Sequence, residues 1–211
     1  KSMQVYPEFN AKIMQLIPGK HTCSNYTKAC LKDCLAWKGF AKIYPETVIK
    51  GRKKRTDLFL NDLPSFMIKL EKELNALCKS SRKKNKTPVV RLNGFSDIDF
   101  SLSKYHIRGD SIFNVYQEIY FYDYTKSLER VIVNFARSQT FKNYHLTFSH
   151  EPSNLKDCAA AHIAYNTNIS VIDKPENVYP FRAAGLDTIN GDSHDFRFLD
   201  PDNSMVLLKH K

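Results

Sequence analysis

The stretch Tyr120-Phe-Tyr-Asp-Tyr-Thr-Lys-Ser-Leu-Glu-Arg-Val-Ile-Val-Asn-Phe-Ala-Arg-Ser138, followed by Tyr144-His-Leu-Thr-Phe148, decides the fold. Tyr120 to Tyr122 reads as a strand closed by the polar Asp123-Tyr-Thr125. Ser127 to Ser138 carries Leu128, Val131, Ile132 and Phe135 at helical spacing, the mark of an amphipathic helix. Tyr144 to Phe148 is a second strand, ending in Ser149-His150. Strand, helix and strand in this order build a parallel sheet with covered faces.

The same rhythm continues on both sides. Leu155 to Tyr165 reads as an alanine-rich helix and Ile169 to Ile172 as a strand ending in Asp173-Lys174. Phe196 to Phe198 and Met205 to Lys209 read as two further strands, with Gly185 and Gly191 in the loop before them. Upstream, Val89 to Leu92 is a strand ending in Asn93-Gly94-Phe-Ser96-Asp97, and Ser111 to Ile119 a short helix. Ala11 to Ile17 reads as the first strand, stopped by Pro18-Gly19. From Lys28 to Leu77 the pattern is helical, interrupted at Pro45 and Gly51. Asp62 and Pro64 read as an N-cap and a first-turn proline ahead of Phe66, Met67, Leu70, Leu74 and Leu77. The basic run Lys79 to Lys86 reads as a loop. About six strands, with a seventh in the tail, in 211 residues fall short of the eight strands and roughly 250 residues of a closed barrel. The expectation is therefore one α/β domain over 1–211: a partial parallel β/α barrel with a helical insertion, 28–86, after the first strand. A doubly wound sheet is the competing arrangement.

Apolar residues make up 42% of the chain and Phe and Tyr number 14 and 11, ample for a packed core and unlike a disordered chain. No apolar run approaches the roughly 20 residues that span a bilayer, which points away from a membrane. The net charge of +10 is concentrated at Lys50-Gly-Arg-Lys-Lys-Arg55 and at Lys79 to Lys86, clusters that attract phosphate backbones. Five cysteines, an odd number without a visible leader, suit a reducing compartment.

In parallel α/β folds, ligands bind at the carboxyl ends of the strands. The polar residues at those ends are Asn93, Asp97, Asp123 and Ser149, joined from the tail by His194 and Asp195; these are the candidate catalytic residues. Ser, Asp and Asn also favour such positions as plain turn and cap residues. Cys23, Cys30 and Cys34 follow the first strand and would lie at the same rim. Three readings of them stay open. They hold an iron–sulfur cluster with one iron left open for a ligand; they bind zinc with His21 as fourth ligand; or they are buried thiols, with Cys30 and Cys34 packed from one helix face.

The runs Val90-Arg-Leu-Asn-Gly-Phe-Ser-Asp-Ile98, Tyr122-Asp-Tyr-Thr-Lys126, Tyr144-His-Leu-Thr-Phe-Ser149 and Gly191-Asp-Ser-His-Asp-Phe-Arg-Phe-Leu-Asp-Pro201 resemble those of a bacteriophage family labelled after mycobacteriophage gene product eighty-eight. The cysteine stretch and Arg55-Thr56 share in the likeness, which covers nearly the whole chain. It implies a phage or prophage origin, hence the host cytoplasm or the virion, and carries no activity with it. The order of first strand and cysteines also resembles a minimal radical S-adenosylmethionine enzyme, which implies a six-stranded partial barrel. Those enzymes space their ligands Cys-x3-Cys-x2-Cys, whereas this chain has Cys-x6-Cys-x3-Cys and no aromatic residue beside Cys34. That departure counts against S-adenosylmethionine as a cofactor.

Three functions follow as expectations. The first is an iron–sulfur metalloprotein with a polar pocket facing the cluster and basic segments that contact nucleic acid. The second is a Mg²⁺-dependent enzyme acting on phosphodiesters through Asp97, Asp99, Asp123, Asp195 and Asp200. The third is a non-catalytic nucleic-acid-binding or virion-associated protein, dependent on Lys53, Lys54 and Arg55.

Overall fold

The computed structural model describes residues 6–27, 30, 34–138 and 140–209. They divide into two compact units. One runs from Glu8 to Ile119; the other comprises Tyr120 onward together with Tyr6 and Pro7.

In the first unit, β1 (Phe9–Ile13) pairs in parallel with β2 (Thr87–Arg91). Between them in sequence lie α1 (Phe40–Ile43), α2 (Pro45–Asn61) and α3 (Leu63–Lys83); α4 (Ile112–Val115) comes after β2. The Asp62 carboxylate caps α3 by accepting from the Ser65 amide at 3.1 Å, with Pro64 in the first turn. The stripe of Phe66, Met67, Leu70, Leu74 and Leu77 is buried throughout, as its period requires. Phe66 stacks edge-on against Phe59 of α2 at 5.1 Å, and Phe59, Phe100 and Tyr105 extend this aromatic core.

Two expectations need correcting here. Gly51 does not break the helix, because α2 runs through it from Pro45. Most of Lys79 to Lys86 is not loop either: α3 continues to Lys83, and the basic side chains of its last turn face the negative end of the helix dipole. The stretch 28–29 and 31–33 of the expected helical segment lies outside the described residues.

The second unit holds β3 (Tyr120–Thr125), β4 (Tyr144–Ser149), β5 (Ile169–Ile172), β6 (Asp187–Asn190) and β7 (Ser204–Leu208), in the order β3-β4-β5-β7-β6 with every pairing parallel. Its helices are α5 (Leu128–Ala136), α6 (Leu155–Tyr165) and α7 (Pro175–Ala183). Val131, Phe148, Cys158, Ala161, Ile169, Val171, Phe181 and Met205 form one buried cluster between sheet and helices.

The protein is therefore α/β with seven parallel strands, and the ladder is open, not closed into a barrel. The expected strand at 196–198 is a 3₁₀ turn, Arg197–Leu199, and the strand missing from the expected set is β6, with α7 before it. No helix among the described residues is long and apolar enough to cross a membrane.

Candidate functional site

The structure places Asn93 inside its own loop. Its side-chain oxygen accepts from the Ile98 amide at 2.9 Å and from the Ser96 hydroxyl at 2.8 Å, and its amide donates to the Ile98 carbonyl at 3.0 Å. This is the geometry of a residue that fixes a turn. Gly94 beside it has no room for a side chain, since a Cβ would stand 2.6 Å from the Met14 carbonyl oxygen. Asp97 is half-buried, and its amide donates to the Thr22 carbonyl at 2.7 Å, tying the loop after β2 to the cysteine stretch.

Cys23 lies in that tie. Its thiol donates to the Phe95 carbonyl at 3.3 Å, and burial pushes its pKa up to about 11. A metal ligand must be a thiolate, so Cys23 would have to give up this hydrogen bond before taking iron or zinc. The Cys30 amide donates to Thr27 Oγ1 at 3.0 Å, and Cys34 precedes the 3₁₀ turn Leu35–Trp37. His21 is exposed. Among the described residues no group of three or more His, Cys, Asp or Glu side chains is placed to hold a metal ion.

Asp123 and Asp195 show how a strand separates neighbours. Along β3 alternate side chains point to opposite faces. Asp123 is buried on one face, 3.8 Å from Arg130 of α5, and the Tyr144 hydroxyl bridges the two: it accepts from Arg130 at 2.6 Å and lies 3.4 Å from Asp123. Tyr122 and Tyr124 face the other way and donate to Asp195 at 3.1 and 3.3 Å. Asp123 is thus part of a buried structural network, and Asp195 is the peg that fastens the 191–200 segment to β3.

His194 belongs to that segment. Its Nε2 is 3.7 Å from Asp200, its ring meets Tyr6 edge-on at 5.2 Å, and burial followed by Arg197 lowers its proton affinity. Arg197, whose side chain is fully enclosed, donates to the carbonyls of Gly191 and His194 and stands 3.0 Å from Asp200. Burial outweighs that ion pair and raises the Asp200 carboxyl to about 6. Ser149 is half-buried at the end of β4, its carbonyl accepting from Asn154. His150 beside it lies 3.5 Å from the buried Cys158, whose thiol burial pushes up to about 12.

The polar rim thus resolves mainly into caps and buried pairs. Of the expected catalytic residues in this unit, His194 and Asp195 are chain neighbours in the 191–200 segment. A cavity of about 210 Å³ in this unit opens at the other rim, beside the starts of β4, β5 and β7, lined by Asn134, Tyr144, Tyr165, Asn168 and Asp202 among others.

Charge is divided more sharply than any of these groups. Residues 8–119 carry 21 of the 32 Lys and Arg and 11 of the 22 Asp and Glu, so the net +10 belongs to the first unit and the remainder is balanced. Within it, Arg52 and Arg55 turn inward. Arg52 bonds to Gln15 and to the Ala36 carbonyl and stacks over Phe95 at 4.5 Å; Arg55 donates to the Gln15 carbonyl at 2.7 Å. Lys50, Lys53 and Lys54 of α2 face outward, as do Lys79, Arg82, Lys83 and Lys84 at the end of α3. Arg82 is shared with Glu118 at 2.6 Å. These lysines were legible from charge alone; the inward turn of the two arginines was not.

What the fold and surface define is an open parallel α/β protein with one strongly basic unit. The chain belongs to the bacteriophage gene-product family described as Gene product 88, which matches residues 3–211. No curated protein and no solved structure matches it.

Proposed function

We propose that this phage protein binds nucleic acid through the unit Glu8–Ile119. The observation that carries the reading is the partition of charge: the entire net +10 lies in that unit. Lys50, Lys53 and Lys54 occupy one outward face of α2, at the i, i+3 and i+4 spacing that groups them into a stripe. Such a stripe displaces counterions from a phosphate backbone when it docks. A protein of this kind acts on phage or host nucleic acid in the infected cytoplasm, or accompanies the genome in the virion.

The test is the salt dependence of binding to a duplex. Each phosphate contact contributes about 0.9 to the slope of log K against log salt. Changing Lys50, Lys53 and Lys54 together to Gln is expected to flatten the slope by roughly 2–3. An unchanged slope, or binding of neither duplex nor single strand by the wild type at low salt, overturns the reading.

A further inference from the structure

The segment from Leu35 to Tyr44 presents apolar rings and chains to solvent and leads directly into α2, the helix that carries the basic stripe. Trp37, the chain's single tryptophan, is 41% exposed and Tyr44 is 58% exposed, with Leu35 and Ile43 also open. The segment is not loosely attached. Ala36 and Ala41 are buried, and the Ala36 carbonyl accepts from Arg52 of α2. The Trp37 amide donates to the Cys34 carbonyl at 3.2 Å, and Gly39, at φ +60°, makes the turn from the 3₁₀ turn into α1. Tyr44 then caps α2, whose outer face carries Lys50, Lys53 and Lys54. Residues 35–55 hold seven Lys and Arg against one acidic residue, Glu46.

Large exposed rings on an anchored segment that runs into a lysine-bearing helix suit a partner with two features, flat apolar faces and a string of negative charges. We infer that this surface binds single-stranded nucleic acid, with unpaired bases stacking on Trp37 and Tyr44 while Lys50, Lys53 and Lys54 follow the backbone. The inference rests on the nucleic-acid reading above and names the strand state it selects. A duplex meets the charge demand but keeps its base faces stacked inside. Only an unpaired strand meets both, and base–aromatic stacking is indifferent to sequence because every base has a π-face. An acidic protein partner would satisfy the lysines without needing the rings to lie flat against it.

The experiment uses the full chain, a 12-nucleotide single strand and the duplex of the same sequence, with Trp37 emission and anisotropy of the labelled DNA both recorded. The single strand is expected to quench Trp37 and to bind at least 10-fold more tightly than the duplex. Trp37→Ala and Tyr44→Ala are each expected to weaken single-strand binding about 10-fold or more while leaving duplex binding within twofold, and Trp37→Phe to restore most of the loss. The lysine triple variant weakens both. If single strand and duplex bind alike and the ring variants change nothing, the stacking inference falls while the nucleic-acid reading stands. If single-strand binding leaves Trp37 emission unchanged, the stacking inference falls as well. If neither DNA binds, both fall, and self-association lost in Trp37→Ala would identify the surface as a contact between copies of this chain.

Discussion

Replacing Asp123 with leucine removes the carboxylate that faces Arg130 in the core of the second unit. Asp123 is 1% exposed, the Arg130 side chain 7%, and their nearest atoms are 3.8 Å apart with the Tyr144 hydroxyl between. Taking one partner from a buried ion pair costs about 3–5 kcal/mol, because the other charge stays desolvated. Replacing both with apolar residues of similar volume is often neutral, so Asp123→Leu combined with Arg130→Met is expected to recover most of the loss. Tyr144→Phe keeps the charges and deletes the bridge, which leaves a donor of Arg130 to resatisfy and costs about 1–3 kcal/mol. The assay is urea unfolding followed by far-ultraviolet circular dichroism on the three variants and the wild type. Had Asp123 been poised for chemistry at a solvated rim, its removal would leave the midpoint in place or raise it. An unshifted midpoint for Asp123→Leu, or a double variant no more stable than the single one, refutes the structural role.

Asp200 makes stability depend on pH in an unusual direction. Burial raises its carboxyl from 3.8 to about 6, so the folded chain holds this proton more tightly than the unfolded one. Its contribution, at most about 3 kcal/mol, is complete below pH ~4 and is lost as pH rises through about 6. His194, lowered by burial and Arg197, works in the opposite sense, so the readout is the difference between wild type and Asp200→Asn across pH 4–7; a flat difference rejects it. Gly94→Ala drives a Cβ to within 2.6 Å of the Met14 carbonyl oxygen and 2.8 Å of Ile13; a loss of about 1–3 kcal/mol is expected in thermal unfolding. Cys23 and Cys78 are pushed up to about 11 and Cys158 to about 12 by burial. At pH 8 the thiolate fractions are below an ordinary cysteine's by a factor on the order of 100 for Cys23 and Cys78 and on the order of 1,000 for Cys158. Alkylation mapped by mass spectrometry should find all three the slow sites, and fast modification of Cys23 would contradict its hydrogen bond to Phe95.

The elements that were legible in sequence are those whose pattern and burial agree. The stripe of α3 and the bounds of α6 and β5 follow from apolar period and local caps. The failures have specific causes. In β6, Asp187-Thr-Ile-Asn190, one apolar residue is too little signal, and the strand exists because β7 offers it a ladder. In α7, Pro175 and Pro180 argue against a helix, yet one starts it and the helix tolerates the other inside. Phe196 and Phe198 alternate as in a strand, but the residue between them, Arg197, is held by the carbonyls of its own loop. The site was harder still. The partners that Asp195 meets, the β3 tyrosines that donate to it, lie 71 and 73 residues away in the chain, and nothing local announces them. Arg52 and Arg55 carry the same lesson for charge: two of the residues that make the run look like an open basic stripe are spent on the segment after β1.

The strand order of the second unit has a consequence for how the chain is born. β6 pairs with β7, which is made 14 residues after β6 ends, and β7 then enters between β6 and the much earlier β5. Until β7 is in place, the edge of β5 and the whole of β6 have no ladder to join. Insertion of Met205 and Val206, both fully buried, is what closes that gap. A released chain truncated before Ser204 therefore displays two unmet sheet edges at once, the condition under which neighbouring chains pair with each other.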